Sequence, residues 1–284
     1  MQIRNPAVAG AFYPFGSDEL RKTIKKFFDE IKVEERKVLG IVSPHAGYVY
    51  CGKTAASVYK SISNDFDTAV ILGPNHMGMG VGVATSSGIW KTPFGSVKID
   101  EEFTKKLTKG SIVMEDFKSH LREHSIEVQL PWLQYRFGDF KFIPISINPI
   151  YFDLKTCKEI GEKIAEVAND LKRKILIVAS SDFTHYGSIY GYKPFSGSAN
   201  EVLRKIKEID MEIIGYIEKI MPQRVLETCD EKRLTICGCG GIASMLYAAK
   251  KLGAKEGKLI DYSTSFDVSR DVDAVVGYAG IVIY

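Results

Sequence analysis

The sequence predicts an α/β fold, a mostly parallel central sheet flanked by helices on both faces, as a single domain over residues 1–284. Three observations carry this expectation. Short apolar runs of the kind buried on both faces of a parallel sheet recur at residues 38–42, 69–72 and 174–179. Segments with helical spacing of apolar residues separate them. No Ser/Gly/Pro-rich linker, repeat or low-complexity tract divides the chain.

Ser17 and Asp18 are placed to cap a first helix, whose Leu20, Ile24, Phe27, Phe28 and Ile31 fall on one face. The strand at 38–42 follows, then a helix at 54–62 and the strand at 69–72. Residues 81–99, punctuated by Gly88 and Gly95, read as meandering strands. Helices are expected at 101–107 and 123–135, then a strand at 142–147 whose Pro144 argues for an edge or irregular position. A helix at 154–171, with Ile160, Ile164 and Val167 on one side, leads to the strand at 174–179. Helices at 199–220, 222–229 and 236–252 precede closing strands at 259–266 and 274–284.

Composition narrows the function classes. Lys and Arg total 38 against 35 Asp and Glu, a formal charge of +3 with no like-charge block, so nucleic acid is not an expected partner. The longest nearly unbroken apolar run, 274–284, falls short of the about 20 residues that span a membrane. The first residues carry no apolar targeting core, and five irregularly spaced cysteines do not form a disulfide framework. A cytoplasmic protein acting on a small-molecule substrate or a peptide is the resulting expectation.

The five histidines are the most informative residues. His45, His76 and His185 each follow a predicted buried strand, after Ser43-Pro44, Gly73-Pro74-Asn75 and Ser180-Ser181-Asp182-Phe183-Thr184 respectively. Ligands of open α/β sheets bind beyond the carboxyl ends of the strands, so parallel strands bring these three to one rim. Pro44 and Pro74 stiffen the loops ahead of two of them. His120 and His124 stand four apart, but Glu123 adjoins the second, so the zincin pattern is not met. A surface or capping role is expected of His120, and His124 is ambiguous. Cys237 and Cys239 precede a predicted helix, where a thiolate is stabilised, as metal ligand or nucleophile; a close-packed helix start among glycines explains them equally well.

The runs Asn5 to Pro14, Pro44-His45-Ala46-Gly47-Tyr48, Gly73-Pro74-Asn75-His76, Glu123-His124-Ser125-Ile126-Glu127, Ser181 to Gly187 and Thr235-Ile236-Cys237-Gly238 resemble the Memo family, in the family's order and over nearly the whole chain. The resemblance implies the fold of class III extradiol dioxygenases. It implies His45, His76 and Cys237 as metal ligands, and Asp182 and His185 as acid–base residues. A glutamate takes the Cys237 position in those dioxygenases, completing a triad suited to iron(II). Iron(II) is therefore the first expected metal, while the softer thiolate makes copper or zinc competitive. Eukaryotic relatives carry Arg-His-Pro where this chain has Cys239-Gly240-Gly241. Three functions follow: a metal-dependent redox protein, a peptide or small-ligand binding module, or a hydrolase, zinc-dependent or with Cys237 as nucleophile beside His185 and Asp182.

Overall fold

The computed structural model describes residues 2–150 and 152–284. In chain order the first elements are β1 (Ile3–Arg4), α1 (Ser17–Glu30), β2 (Gly40–Ser43), α2 (Tyr48–Lys60) and β3 (Thr68–Pro74). Next come β4 (Val83–Thr85), β5 (Ile89–Thr92), β6 (Gly95–Ile99), α3 (Glu101–Thr108) and β7 (Met114–Glu115). Short 3-10 turns at Phe117–His120 and Glu127–Gln129 lead to α4 (Leu130–Phe137), β8 (Lys141–Ile147), α5 (Leu154–Asp170), β9 (Ile175–Ser180) and β10 (His185–Tyr186). The chain closes with α6 (Ala199–Glu218), α7 (Pro222–Glu231), α8 (Cys239–Lys251), β11 (Gly257–Thr264), α9 (Phe266–Ser269) and β12 (Val275–Ile283).

The expected α/β sheet is present, but it is mixed rather than mostly parallel. Its order is β1-β5-β6-β8-β3-β9-β2-β12-β10, with β11 on β12 and β4 on β8. The centre β8-β3-β9-β2 is parallel, as the buried runs imply. The periphery is mixed: β5–β6, β4–β8, β11–β12, β12–β2 and β10–β12 are antiparallel, whereas β1–β5, β4–β7 and β6–β8 are parallel. Connection length accounts for two of the antiparallel pairs. Two residues between β5 and β6 allow only a hairpin, and the link from β11 to β12 holds one short helix, too little for a parallel crossover.

Helices cover both faces. Gly40 of β2 lies against Met245 of α8, and Gly280 of β12 against Thr54 and Val58 of α2. The register Ile281↔Val42, Val282↔Ile41 puts these two glycines on opposite faces, since side chains alternate along a strand. On the α8 side, α5 approaches so closely that a Cβ at Gly161 would lie 2.4 Å from the Ser244 carbonyl oxygen.

Other expectations are met or corrected in detail. Pro144 does take the irregular position expected of it: it pairs with Ile71 on one side only. It is tolerated because β6 pairs only up to Phe142 and β4 only from Ser146, leaving no ladder on its far side. The helix expected at 123–135 begins only at Leu130, with Pro131 in its first turn. Gly16, not Ser17, occupies the cap of α1. Cys237 precedes α8 and Cys239 is its first residue.

Candidate functional site

The parallel register sets the site. Ser43 of β2 lies opposite Ser180 of β9, so His45 and Asp182, each two residues on, leave the sheet side by side. The His45 N–H donates to Asp182 Oδ1 at 2.8 Å. His45 is 2% exposed and its Nδ1 lies 3.0 Å from Ser180 Oγ. That hydroxyl gives its one hydrogen to the Ser125 carbonyl (2.6 Å) and accepts from Gln129 Nε2 (2.8 Å). The His45 contact is therefore an Nδ1–H donating to Ser180, which leaves the Nε2 lone pair facing Cys237 Sγ at 3.2 Å. Burial first, then the charges of His76, His124 and His185, hold the His45 pKa well below the usual histidine range, so the ring is neutral.

His76 leaves β3 and meets Glu123. Its N–H donates to Glu123 Oε2 (2.6 Å) and its Nδ1–H to Oε1 (2.9 Å), again freeing Nε2. The amides of His124 and Ser125 also donate to Oε1, at 2.9 Å each. Burial raises the Glu123 carboxyl. The His76 hydrogen bond, the His76 and His124 charges and the Ser125 N–H outweigh it and bring the pKa down to about 2. A carboxylate that fixes the tautomer of a ligating histidine is the usual partner around protein-bound metals. A loop at 123–126 and the 3-10 turn at Glu127–Gln129 stand where a helix from 123 was expected. The loop rests on the end of β3: a Cβ at Gly73 would lie 2.5 Å from Ser125 Oγ, so only glycine admits it.

His124 stacks on His76, with ring centroids 4.7 Å apart, and stands 5.5 Å from the His45 ring. Burial first lowers its pKa, to about 4, against the pull of Glu123. Ligand atoms of His45, His76 and His124 all lie within 4.8 Å of one another, and among the described residues this is the group competent to hold a metal ion. It grades from buried His45 through half-buried His124 to exposed His76.

Cys237 stands apart from that trio yet touches it: its Sγ is 3.2 Å from His45 Nε2 and 3.6 Å from the Asp182 carbonyl oxygen. Burial, then the Asp182 charge, pushes its thiol up. The turn that carries it is set by Gly238, whose N–H donates to Ser181 Oγ (3.1 Å) and where a Cβ would lie 2.4 Å from the Ser181 Cβ. Cys239 is buried, its pKa raised by its hydrogen bond with Cys229 first and by burial second.

His185 reaches the same cavity from β10. Its Nδ1 lies 2.9 Å from the carbonyl oxygens of both Phe183 and Thr235, so Nδ1 carries the hydrogen and Nε2 is free. Among the described residues these two carbonyls, not Asp182, orient the ring. Asp182 serves His45 instead and acts on His185 through charge. Burial raises its pKa, and the His185 charge and the His45 N–H lower it, the net direction being up. A cavity of about 490 Å³ opens onto His45, His76, His124, Asp182 and His185.

Some functional residues escaped the sequence. Arg4 and Glu127 are a fully buried ion pair at 2.6 Å. Arg4 also donates to the His120 and Glu123 carbonyls, at 2.7 and 2.6 Å. Glu127 accepts from Ala7, Val8 and Tyr13 Oη as well. The N-terminal segment thus clamps the loop that carries Glu123 and His124. The signal was present as the two acidic and N-terminal runs, but nothing local says that they meet. Asp210 of α6, buried, accepts from the Thr184 N–H (3.1 Å) and Oγ1 (2.6 Å) and from Tyr262 Oη (2.7 Å), tethering the loop between Asp182 and His185. His120 is neither surface nor cap. It is fully buried against Trp90, and burial first, then Arg4, brings its pKa down to about 3.

The sequence profile of a family described as "Memo-like protein" matches residues 4–282. A MEMO1 family protein of Methanosarcina acetivorans is 42% identical over 100% of both chains. Those of Pyrococcus abyssi and Methanosarcina barkeri are 43% and 44% identical, covering 99% or more of each chain. An uncharacterized protein of Escherichia coli K12 superposes with a TM-score of 0.50 at 12% identity, covering 87% of this chain and 100% of that one, a likeness of fold alone.

Proposed function

The chain belongs to the Memo family, and from that premise we propose that it is a metal-dependent redox protein that holds iron(II) on His45, His76 and Cys237, joined by His124. The observation that carries this reading is the set of free Nε2 lone pairs. Ser180 and Glu123 take up the Nδ1–H groups of His45 and His76, leaving the Nε2 atoms to face one point. Neutral imidazoles with a thiol are a donor set for iron, copper or zinc, so the residues fit the group. Bound there, the ion supplies a one-electron couple and open positions for a ligand.

The protein's own side chains do the rest. His185 keeps its hydrogen on Nδ1, against two carbonyls, and accepts or returns a proton at Nε2 toward whatever fills the cavity. Asp182 lies close enough to that ring to interact with it through charge, and it holds the His45 backbone in place. Cys237 has its thiol against His45 rather than paired with His185, which favours a ligand over a nucleophile of the Cys-His-Asp kind.

Anaerobic purification, elemental analysis and oxygen uptake test the reading. Iron at about one ion per chain and oxygen consumption support it; zinc without oxygen uptake would replace it with hydrolysis, and no metal with a binding module. Cys237→Ser is expected to weaken metal binding and remove the metal–sulfur signal from sulfur-edge spectra, with Cys239→Ser near neutral. His185→Ala should keep the metal and lose turnover. An unchanged metal–sulfur signal in Cys237→Ser would remove the thiolate from the ligand set.

A further inference from the structure

We propose that the cavity in front of the histidines takes an organic cation, a ligand with a protonated amine on an aromatic body, and that Asp271 receives the amine. The inference rests on the proposed role of this cavity as the ligand site and adds the chemical class of the ligand.

Charge is the first argument. No lysine or arginine is among the residues lining the cavity, whereas Asp182 and Asp271 both face it. Two basic side chains close to its rim in sequence are engaged elsewhere. The Arg270 guanidinium lies over the Phe266 ring at 5.7 Å, and Lys193 is paired with Asp273 at 2.7 Å. Asp271 uses one oxygen, Oδ1, to accept the Asp273 N–H at 2.9 Å, and it is in no ion pair of its own. A carboxylate at a cavity mouth, held by the backbone and lacking a counterion, is a receptor for a cation.

The second argument is the wall. Phe12, Tyr50, Tyr190 and Tyr278 line the cavity, a concentration of ring faces and edges that suits a flat body and, through the negative ring faces, a cation as well. Burial, then the charges of Asp182 and Asp271, raises the Tyr190 phenol, so this ring stays uncharged beside the two carboxylates. The wall offers an anion no lysine or arginine to pair with. An anionic ligand such as a phosphopeptide would enter against two carboxylates.

The test uses three probes of one skeleton and three charges: phenethylamine, 2-phenylethanol and phenylacetate. Binding is measured by calorimetry at pH 8 on metal-free protein, so that only the wall's charge acts. Phenethylamine is expected to bind at least about tenfold tighter than phenylacetate, with 2-phenylethanol between them, and its advantage to shrink in high salt. Asp271→Asn should lower the phenethylamine affinity about fivefold and leave 2-phenylethanol within about twofold, and Asp271→Glu should restore the amine. Phenylacetate binding as tightly as the amine, or an Asp271→Asn variant with the same ranking, would overturn the proposal. The same titrations on metal-loaded protein separate the two readings. Amine selectivity in a chain that holds no metal removes the redox reading alone, while tight metal binding without amine selectivity removes this one alone.

Discussion

His45 stands on the loop that leaves β2 and His185 is the first residue of β10, whereas His124 stands on a loop that no strand carries. The first pair is placed by backbone ladders: β2 against β9 delivers His45 beside Asp182, and β10 against β12 delivers His185. The loop of Glu123 and His124 is placed by side chains, through the buried Arg4–Glu127 pair and the Arg4 bonds to two carbonyls. Ladder placement distributes its support over many hydrogen bonds and apolar contacts, so no one side chain decides it. Clamp placement concentrates support in a few charged atoms out of water, where losing one partner strands the other. The two sides of one cluster are therefore expected to respond unequally to single substitutions.

The largest expected effect is on the clamp. Arg4→Met leaves the Glu127 carboxylate buried without a counterion, and should cost about 3–5 kcal/mol, lowering Tm by roughly 10 °C for a chain of this size. Metal affinity should fall with it, although Arg4 touches none of the proposed ligands. Adding Glu127→Met to Arg4→Met should recover much of the stability, because no charge is then left unpaired. Thermal melts and metal titration check this, and an Arg4→Met protein as stable as the parent would erase the distinction between the two sides.

Acid should reveal the next effect. The folded-state pKa values of His45, His124 and His120 are depressed, the last two to about 4 and about 3. Below about pH 6.5 the unfolded chain takes up protons that the folded chain refuses, so stability is full above that pH and falls until the folded groups titrate. Glu123, depressed to about 2 from 4.5, adds a second loss over that lower window. Each buried histidine contributes about 1.4 kcal/mol per pH unit between its two pKa values. Urea midpoints across pH 3–8 measure it, and His120→Leu, which leaves the cavity untouched, should flatten part of the slope.

Replacing ligands should affect metal more than fold. His45→Ala and His76→Ala should each abolish tight metal binding while shifting Tm by only a few degrees. Glu123→Gln should cost about 10–100-fold in metal affinity, since the amide orients the His76 ring less well than the carboxylate does. Equal metal binding by all three variants would show that the cluster is not the site. The smallest effect is expected at Asp210, whose carboxyl burial raises to about 6. A raised carboxyl works in the opposite sense: the folded chain binds the proton first, so stability falls as pH rises from about 4 to about 6. Asp210→Asn should be within about 1 kcal/mol of the parent near pH 5 and relatively more stable at pH 8, while its effect on ligand binding reports how far the Thr184 tether positions His185.

By itself the sequence determined the parallel centre of the sheet and the rim where the site forms. A fully buried strand is written locally as a short apolar run, and the residue that leaves it, as His45, His76 and His185 do, is visible a few positions later. It did not determine the direction of the outer strands, because an apolar run such as that of β12 reads the same in either orientation. Pro144 signalled an edge or irregular position but not which, since whether a missing N–H matters depends on what lies across from it. Only the tertiary structure decided that His124 joins the cluster, that Glu123 fixes the His76 tautomer, and that Arg4 reaches across more than a hundred residues to Glu127. Those facts depend on distances between remote segments, which folding creates and no local pattern of residue types records. Buried charge follows the same logic: Arg4 and Glu127 look like surface residues until the fold brings each the one partner that makes its burial tolerable.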